Sequence, residues 1–587
     1  MIPEISGTRL TGGRRIMWIS YRTGLIQLWI IVCASMFSGQ AFGYDWQFVD
    51  KGLHGAVGSD LTRYDRHTVP ENITVKQWRS AAWRGERVSG HIVLWTVNGA
   101  EQVRLQVSDL TGSGGIIPSS AFNAGFTGYV LADDTFTTCG TRPKNDAPVL
   151  VEDIIDTADT IDMAVRTMQP VWFGINVPAD TEPGMYNGHI DVAWKDGKGM
   201  RFEIELEVVD RTLPPPAEWH FHLDLWQHPW AVARYHHVRP WSKEHWLLLR
   251  PIMKMLADAG QKCLTATIVK KPWNGQTYDH FESMVGWTKN GDTWVFDYRV
   301  FDEWVRFGES CGLSGQINCY SMIPWGYNFY YTDGRTGDEV MITCKAGSAE
   351  YTAMWTAFLT DFTRHLKEKG WFDRAVIAMD ERPVADMLAV ADLVQTVSPG
   401  LKLALAGGDH PELYDKLYDY CVLIPHELDF DLLNKRRLRD EKTTFYVCCT
   451  PFRPNTFTIS PLPEALYIGW YAYAAGYDGF LRWAAQSWVE DPLHDSSFRS
   501  WQSGDTYVIY PGPRSSLRFE LLRDGIEDYE KLRILNNNKI GRLTDSKKDP
   551  NIASELTRFT YPLGRDKEVR NIVEKARTVL EEISRNR

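Results

Sequence analysis

The chain of 587 residues has no excess of positive charge: 64 Lys and Arg face 75 Asp and Glu, for a formal net charge of −11. A protein whose main partner is a nucleic-acid backbone needs a basic surface, so the balance argues against that class. It argues equally against electrostatic docking on an anionic membrane. Long apolar runs are scarce: one spans Gly24 to Phe37, and no second follows. No integral membrane span is therefore expected beyond it. Phosphate-binding signatures are missing, since Gly407-Gly408 stands without GxGxxG or a P-loop. There is no GxSxG elbow and no Ser-His-Asp signature. The nine cysteines (Cys33, Cys139, Cys263, Cys311, Cys319, Cys344, Cys421, Cys448, Cys449) show no zinc or haem spacing and assign no disulfide pair. Adjacent His236-His237 makes a poor chelate. Neither a metal nor a cofactor is expected. Low-complexity sequence is absent and 44% of residues are hydrophobic, which argues against a disordered or collagenous chain.

Aromatic residues are plentiful, with 24 Trp, 25 Tyr and 25 Phe. Their flat faces suit the apolar C–H patches of sugar rings, although large aromatics also fill cores. Arg14, Arg15 and Arg22 precede the apolar run, and Ala41 and Gly43 form a small-x-small pattern after it. This reads as a secretory signal peptide over residues 1–43, with Met17 a competing start, and predicts export to the periplasm or the cell exterior. A lipoprotein cysteine at Cys33 fits poorly after Val32. Export permits disulfides. Asn72-Ile73-Thr74 is a glycosylation sequon.

Residues 44–213 alternate short strands and turns. His91–Val97 and Gln102–Val107 flank Asn98-Gly99, and His189–Trp194 and Met200–Val209 flank Asp196-Gly197-Lys198-Gly199, a hairpin signal. An antiparallel β-sandwich is predicted. Pro214-Pro215-Pro216 forms a stiff linker. From 217 to 540 eight strand patterns alternate with helical ones, beginning at His220, Cys263, Gln316, Ala375, Lys402, Cys421, Thr444 and Gly479. Eight regular repeats predict a (β/α)8 barrel, with a doubly wound open sheet as the alternative. Residues 541–587 read as a helical extension.

Active sites in such barrels lie at the C-terminal ends of the strands. There the sequence places Trp226, Gln227 and His228 after the first strand and Tyr320, Trp325 and Tyr327 after the third. Asp380-Glu381 follows the fourth, and Arg482, Trp483 and Trp488 follow the eighth. Carboxylates, amides and aromatics together suit a sugar pocket. Two adjacent carboxylates at the mouth of a buried strand repel each other, so one should hold its proton near neutral pH and provide a general acid. Neighbours on a regular strand face opposite ways, so both reach one pocket only where the strand end bends. Alternatively, one of them pairs with Arg382 or caps the next helix.

Asp380-Glu381 after a buried strand, with Phe221 to Pro229 opening the barrel, resembles glycoside hydrolase family 123. Tyr477 to Trp483, Tyr510-Pro511-Gly512, Ser516 to Glu520 and Gly525 to Glu530 are similar to it as well. The resemblance implies an exo-acting β-N-acetylgalactosaminidase with a substrate-assisted retaining mechanism, one of the exceptions to the two-carboxylate scheme. It implies Glu381 as general acid and base, and Asp380 as the group that orients the 2-acetamido N–H. The implied partner is a glycan or glycolipid ending in a 2-acetamido sugar. A tyrosine among Tyr320 and Tyr327 would meet the acetamido carbonyl, and a Trp would floor its methyl. Arg518 and Glu520 are expected to be structural. A β-N-acetylglucosaminidase of the same pattern and an inactive carbohydrate-binding barrel are the alternatives. An outward-turned or walled-off carboxylate would favour the second.

Overall fold

The computed structural model describes residues 46–70, 73–133, 147–195, 197, 199–498, 501–541 and 550–586. The expected leader, Cys33, Asn72 and Cys139 lie outside the described residues.

Two sheets face each other in the N-terminal part. One is ordered Leu53–Gly58, Arg87–Thr96, Thr167–Asn176, Phe122–Ala132, Val149–Ile155. The other runs Gln77–Arg84, Met200–Thr212, Gly184–Ala193, Ala100–Val107, Thr160–Met163, with two short strands beside it. Their inward residues, among them Ile92, Phe173, Ile190 and Phe202, are buried and form the sandwich core. The predicted hairpin pairs Gly184–Ala193 with Met200–Val208 antiparallel. Gln77–Arg84 departs from the antiparallel pattern and lies parallel to Met200–Thr212. Asn98-Gly99 turns the chain from one sheet to the other, because its flanking strands belong to different sheets.

Eight parallel strands then form the barrel: β1 His222–Leu225, β2 Cys263–Thr267, β3 Gln316–Tyr320, β4 Ala375–Met379, β5 Lys402–Gly407, β6 Asp419–Leu423, β7 Lys442–Tyr446 and β8 Gly479–Arg482. Each neighbouring pair from β2 through β8 and on to β1 has a regular ladder. Between β1 and β2 there is only the Leu223–Gln261 bridge, and side chains complete the closure. Gln261 accepts from the Leu225 N–H (2.9 Å) and donates to the Leu225 and Cys263 carbonyls. Gln227 donates to the same carbonyls and accepts from the Thr265 N–H (2.8 Å). The two amides act as rungs that satisfy backbone groups a missing ladder would orphan.

The surrounding helices follow their sequence signals. Ser242 caps Lys243–Asp258, and Gly370, in the left-handed region at φ 72°, ends Ala349–Lys369. The expected helix Pro411–Tyr418 is a single 3-10 turn, Pro411–Leu413. The reason is that the Tyr418 N–H already donates to Leu403 O at the edge of β5. A four-stranded sheet grows out of the loops after β2 and β3, in the order Thr293–Asp297, Gly286–Asn290, Asn328–Asp333, Glu339–Thr343. It buries Trp287 flat against Phe358 of the Ala349–Lys369 helix, with ring centroids 4.6 Å apart. No described helix is long and apolar enough to cross a membrane.

Candidate active site

β4 is a run of five buried apolar residues, Ala375 to Met379. The regular strand stops there, and Glu381 lies in a bend. This releases the alternation, so Asp380 and Glu381 line one cavity of about 550 Å³ at the C-terminal mouth of the barrel. The Trp325 indole donates to Asp380 Oδ2 (2.7 Å), and the Glu381 N–H donates to Oδ1 (2.8 Å). Burial, reinforced by the neighbouring Glu381 charge, pushes the Asp380 carboxyl up to about 6, against these two donors. The Tyr446 hydroxyl at the end of β7 donates to Glu381 Oε1. The raised carboxyl is thus Asp380, while Glu381 is the residue held by a phenol.

Trp226, Trp325 and Trp483 also line the cavity, as their strand-end positions predict. Trp226 is fixed by its indole donating to Asp224 Oδ2 (3.2 Å) and packs against Trp273 and Tyr320 at centroid distances of 4.8 and 4.6 Å. Asp224, below it in the barrel, is pushed up to about 7, chiefly by burial and then by Asp419.

Other predicted contacts sit behind the wall. Gln227 is a closure rung, with both ends of its amide committed to the barrel backbone. His228 is fully buried, stacks on Phe281 at 3.6 Å, bonds the Asp279 carbonyl, and is held down to about 3 by burial. Arg482 is fully buried; it pairs with Asp505 (2.9 Å) and donates to Asn455 (2.8 Å). Trp488 is fully buried, its indole on the Ile509 carbonyl (2.7 Å). Tyr320 is buried between Trp226 and Trp273. Tyr327 donates to Asp386 (2.6 Å) and stacks beneath the Arg382 guanidinium, which also covers Trp325. The structure brings these six residues to the support of the cavity, not to its lining.

Trp273, Arg382, His410, Tyr446, Trp501 and Asp505 line the cavity in addition. Trp273 and Tyr446 follow β2 and end β7, and reading those two strand ends would have found them. Tyr446 lies inside the seventh strand pattern, which begins at Thr444, and so does not read as a strand end. Trp501 and Asp505 lie in a long segment after β8 that carries no helix or strand period, and no local signal marks them. Cys449, also on the lining, is disulfide-bonded, whereas Cys448 is a free thiol pushed up to about 12 by burial.

A separate polar cluster lies deeper in the barrel. The ligand atoms of His222, Cys263 and Asp419 lie within 4.8 Å of one another, the one such group among the described residues. His222 Nε2 is 3.1 Å from Asp419 Oδ2, which also accepts from Gln316 (2.7 Å). These bonds satisfy the three groups mutually.

A barrel whose mouth holds two adjacent carboxylates among tryptophans suits work on a sugar, and comparison with known proteins gives the class, a glycoside hydrolase. Residues 226–535 match the glycoside hydrolase 123 catalytic domain, and residues 57–194 match the glycoside hydrolase 123 N-terminal domain. The chain belongs to glycoside hydrolase family 123. It is similar to a family 123 glycoside hydrolase from Clostridium perfringens whose structure addresses glycolipid glycan hydrolysis. That match has 28% identity and a TM-score of 0.81, covering 91% of this chain and 98% of that one. A GH5 xyloglucanase from Bacteroides ovatus (8% identity, TM-score 0.28, covering 81% of this chain and 100% of that one) is too distant to carry an argument. No curated protein matches.

Proposed function

We propose that the protein is an exported exo-β-N-acetylgalactosaminidase that cleaves terminal residues from glycans or glycolipids by a substrate-assisted retaining mechanism. The observation that carries this reading is the asymmetric tethering of the two carboxylates. Asp380 is fixed by an indole and a backbone N–H, and Glu381 by the Tyr446 phenol at the end of β7. Each is therefore positioned for a different part of one sugar.

Glu381 Oε2 gives its proton to the glycosidic oxygen as the C1–O bond breaks. The 2-acetamido carbonyl oxygen forms the new bond to C1, giving an oxazolinium. Asp380, ionised above about pH 6, accepts the acetamido N–H and balances the positive charge on the ring. Water then attacks C1, returns a proton to Glu381 and opens the oxazolinium. The tryptophan walls suit the apolar sugar faces. The relative's glycolipid glycans supply the substrate class, the basic and apolar leader supports export, and the Cys449 disulfide fits an oxidising compartment.

The test is release from chromogenic β-GalNAc and β-GlcNAc substrates. Glu381→Gln and Asp380→Asn should each lower kcat by about 10²–10⁴-fold, the range for a positioned acid–base group. Release from β-GlcNAc alone would transfer the mechanism to another sugar. Turnover untouched by either substitution would overturn the assignment.

A further inference from the structure

Asp505 is a fully buried aspartate on the cavity lining, flanked there by Trp483 and Trp501, whose rings cross at 6.0 Å and 78°. Its Oδ1 accepts from Arg482 Nη2 (2.9 Å) and from the Trp483 indole (3.1 Å). Arg482 is itself locked by Asn455, and the Asp505 N–H bonds the Gln502 carbonyl (3.0 Å). These bonds hold Oδ1 against the barrel wall. Yet Oδ2 is buried and accepts no hydrogen bond from the described residues. A buried acceptor left unmade costs the desolvation of that group, so an orphan beside a cavity calls for a partner.

Topology says which partner. The strand order places β8, which carries Arg482 and Trp483, four positions from β4 on either path round the barrel. Asp505 is tied to the β8 residues Arg482 and Trp483, and the Asp380-Glu381 pair follows β4, so the two line one cavity from opposite positions in the strand order. C1 and C2 of the sugar engage the β4 side under the function proposed above. C4 lies across the pyranose ring from C1 and so points toward β8. We propose that Asp505 is a specificity-determining residue that accepts a hydrogen bond from the 4-hydroxyl of the terminal sugar, with Trp483 and Trp501 bounding that end of the subsite. This inference rests on that proposed reaction for the sugar's orientation. A site with a fixed acceptor for one hydroxyl discriminates strongly against an analogue that lacks or misdirects it.

The experiment compares wild type and Asp505→Asn on p-nitrophenyl β-GalNAc, its 4-deoxy and 6-deoxy analogues, and the C4 epimer. A hydrogen bond to a charged group predicts a loss of kcat/KM of about 10–100-fold for the 4-deoxy substrate in wild type. Asp505→Asn should lose a similar factor on the parent, little more on the 4-deoxy substrate, and narrow the ratio between C4 epimers. The 6-deoxy substrate should respond alike in both proteins. Equal 4-deoxy penalties in the two proteins, or no 4-deoxy penalty in wild type, would overturn the proposal; the wild-type measurement decides even where the variant fails to fold. Absence of turnover on every substrate would instead sink the reaction. In that case tryptophan-fluorescence titrations with N-acetylgalactosamine and its 4-deoxy analogue read the same contact: a weaker 4-deoxy complex in wild type supports it, and equal binding overturns it.

Discussion

At the residue scale, the charge on Asp380 is the quantity most open to manipulation. Burial and the Glu381 charge raise its carboxyl to about 6, and the Trp325 indole opposes them. In the proposed mechanism the ionised form accepts the acetamido N–H, so kcat/KM should fall as the pH drops through about 6. Trp325→Phe removes a donor that favours the ionised form. The acid limb of the pH profile should therefore move to higher pH; an unmoved limb would remove Asp380 from control of it. Tyr446→Phe removes the tether on Glu381 and should lower kcat by about tenfold, the value of one hydrogen bond to a charged group, with KM little changed. The carboxylate pair was legible because adjacent acids after an apolar strand are chemically conspicuous. Arg482, Gln227 and His228 were misassigned to the lining for an equally physical reason. A polar side chain at a strand end reads alike whether it meets a ligand or completes the scaffold.

At the scale of elements, the barrel was readable because its strands are continuous apolar runs separated by capped helices. Closure between β1 and β2 was not readable, because it depends on two side-chain amides rather than on a strand period. Substituting Gln261 by Ala strips partners from Leu225 and Cys263. It should destabilise the fold by about 2–4 kcal/mol, a few buried hydrogen bonds with their groups left unsatisfied, measured by denaturant unfolding. A loss within error of zero would show that the ladder tolerates the gap. The four-stranded outgrowth after β2 and β3 was missed, since its short strands lie between the barrel repeats and break their strand–helix alternation.

At the scale of the molecule, sandwich and barrel are joined by buried charge. Helix Leu517–Leu535 is buried along nearly its whole length. Arg518 pairs with Asp153 of the sandwich (2.8 Å), which also accepts from Tyr510 (2.7 Å) and Arg63. Lys531 pairs with Glu86 of the sandwich (2.7 Å). Arg518 and Glu520 were expected to be structural; both sit in this seam, where Glu520 pairs with Arg87 of the sandwich (2.9 Å). Removing one partner of such a pair strands the other charge, so Arg518→Met should cost about 3–5 kcal/mol. Sandwich and barrel should then melt in one transition at lower temperature in calorimetry. Two resolved transitions in wild type would contradict a shared core.

The central claim is that the substrate's own acetamido oxygen is the nucleophile, and one series tests it directly. Chromogenic β-galactosaminides bearing N-acetyl, N-fluoroacetyl, N-difluoroacetyl and N-trifluoroacetyl groups differ little in size, while each fluorine weakens the carbonyl oxygen as a nucleophile. The account predicts that kcat/KM falls steeply with every fluorine added, with Asp380→Asn slow throughout. A rate indifferent to fluorination would contradict it and leave an enzyme nucleophile or a direct attack by water.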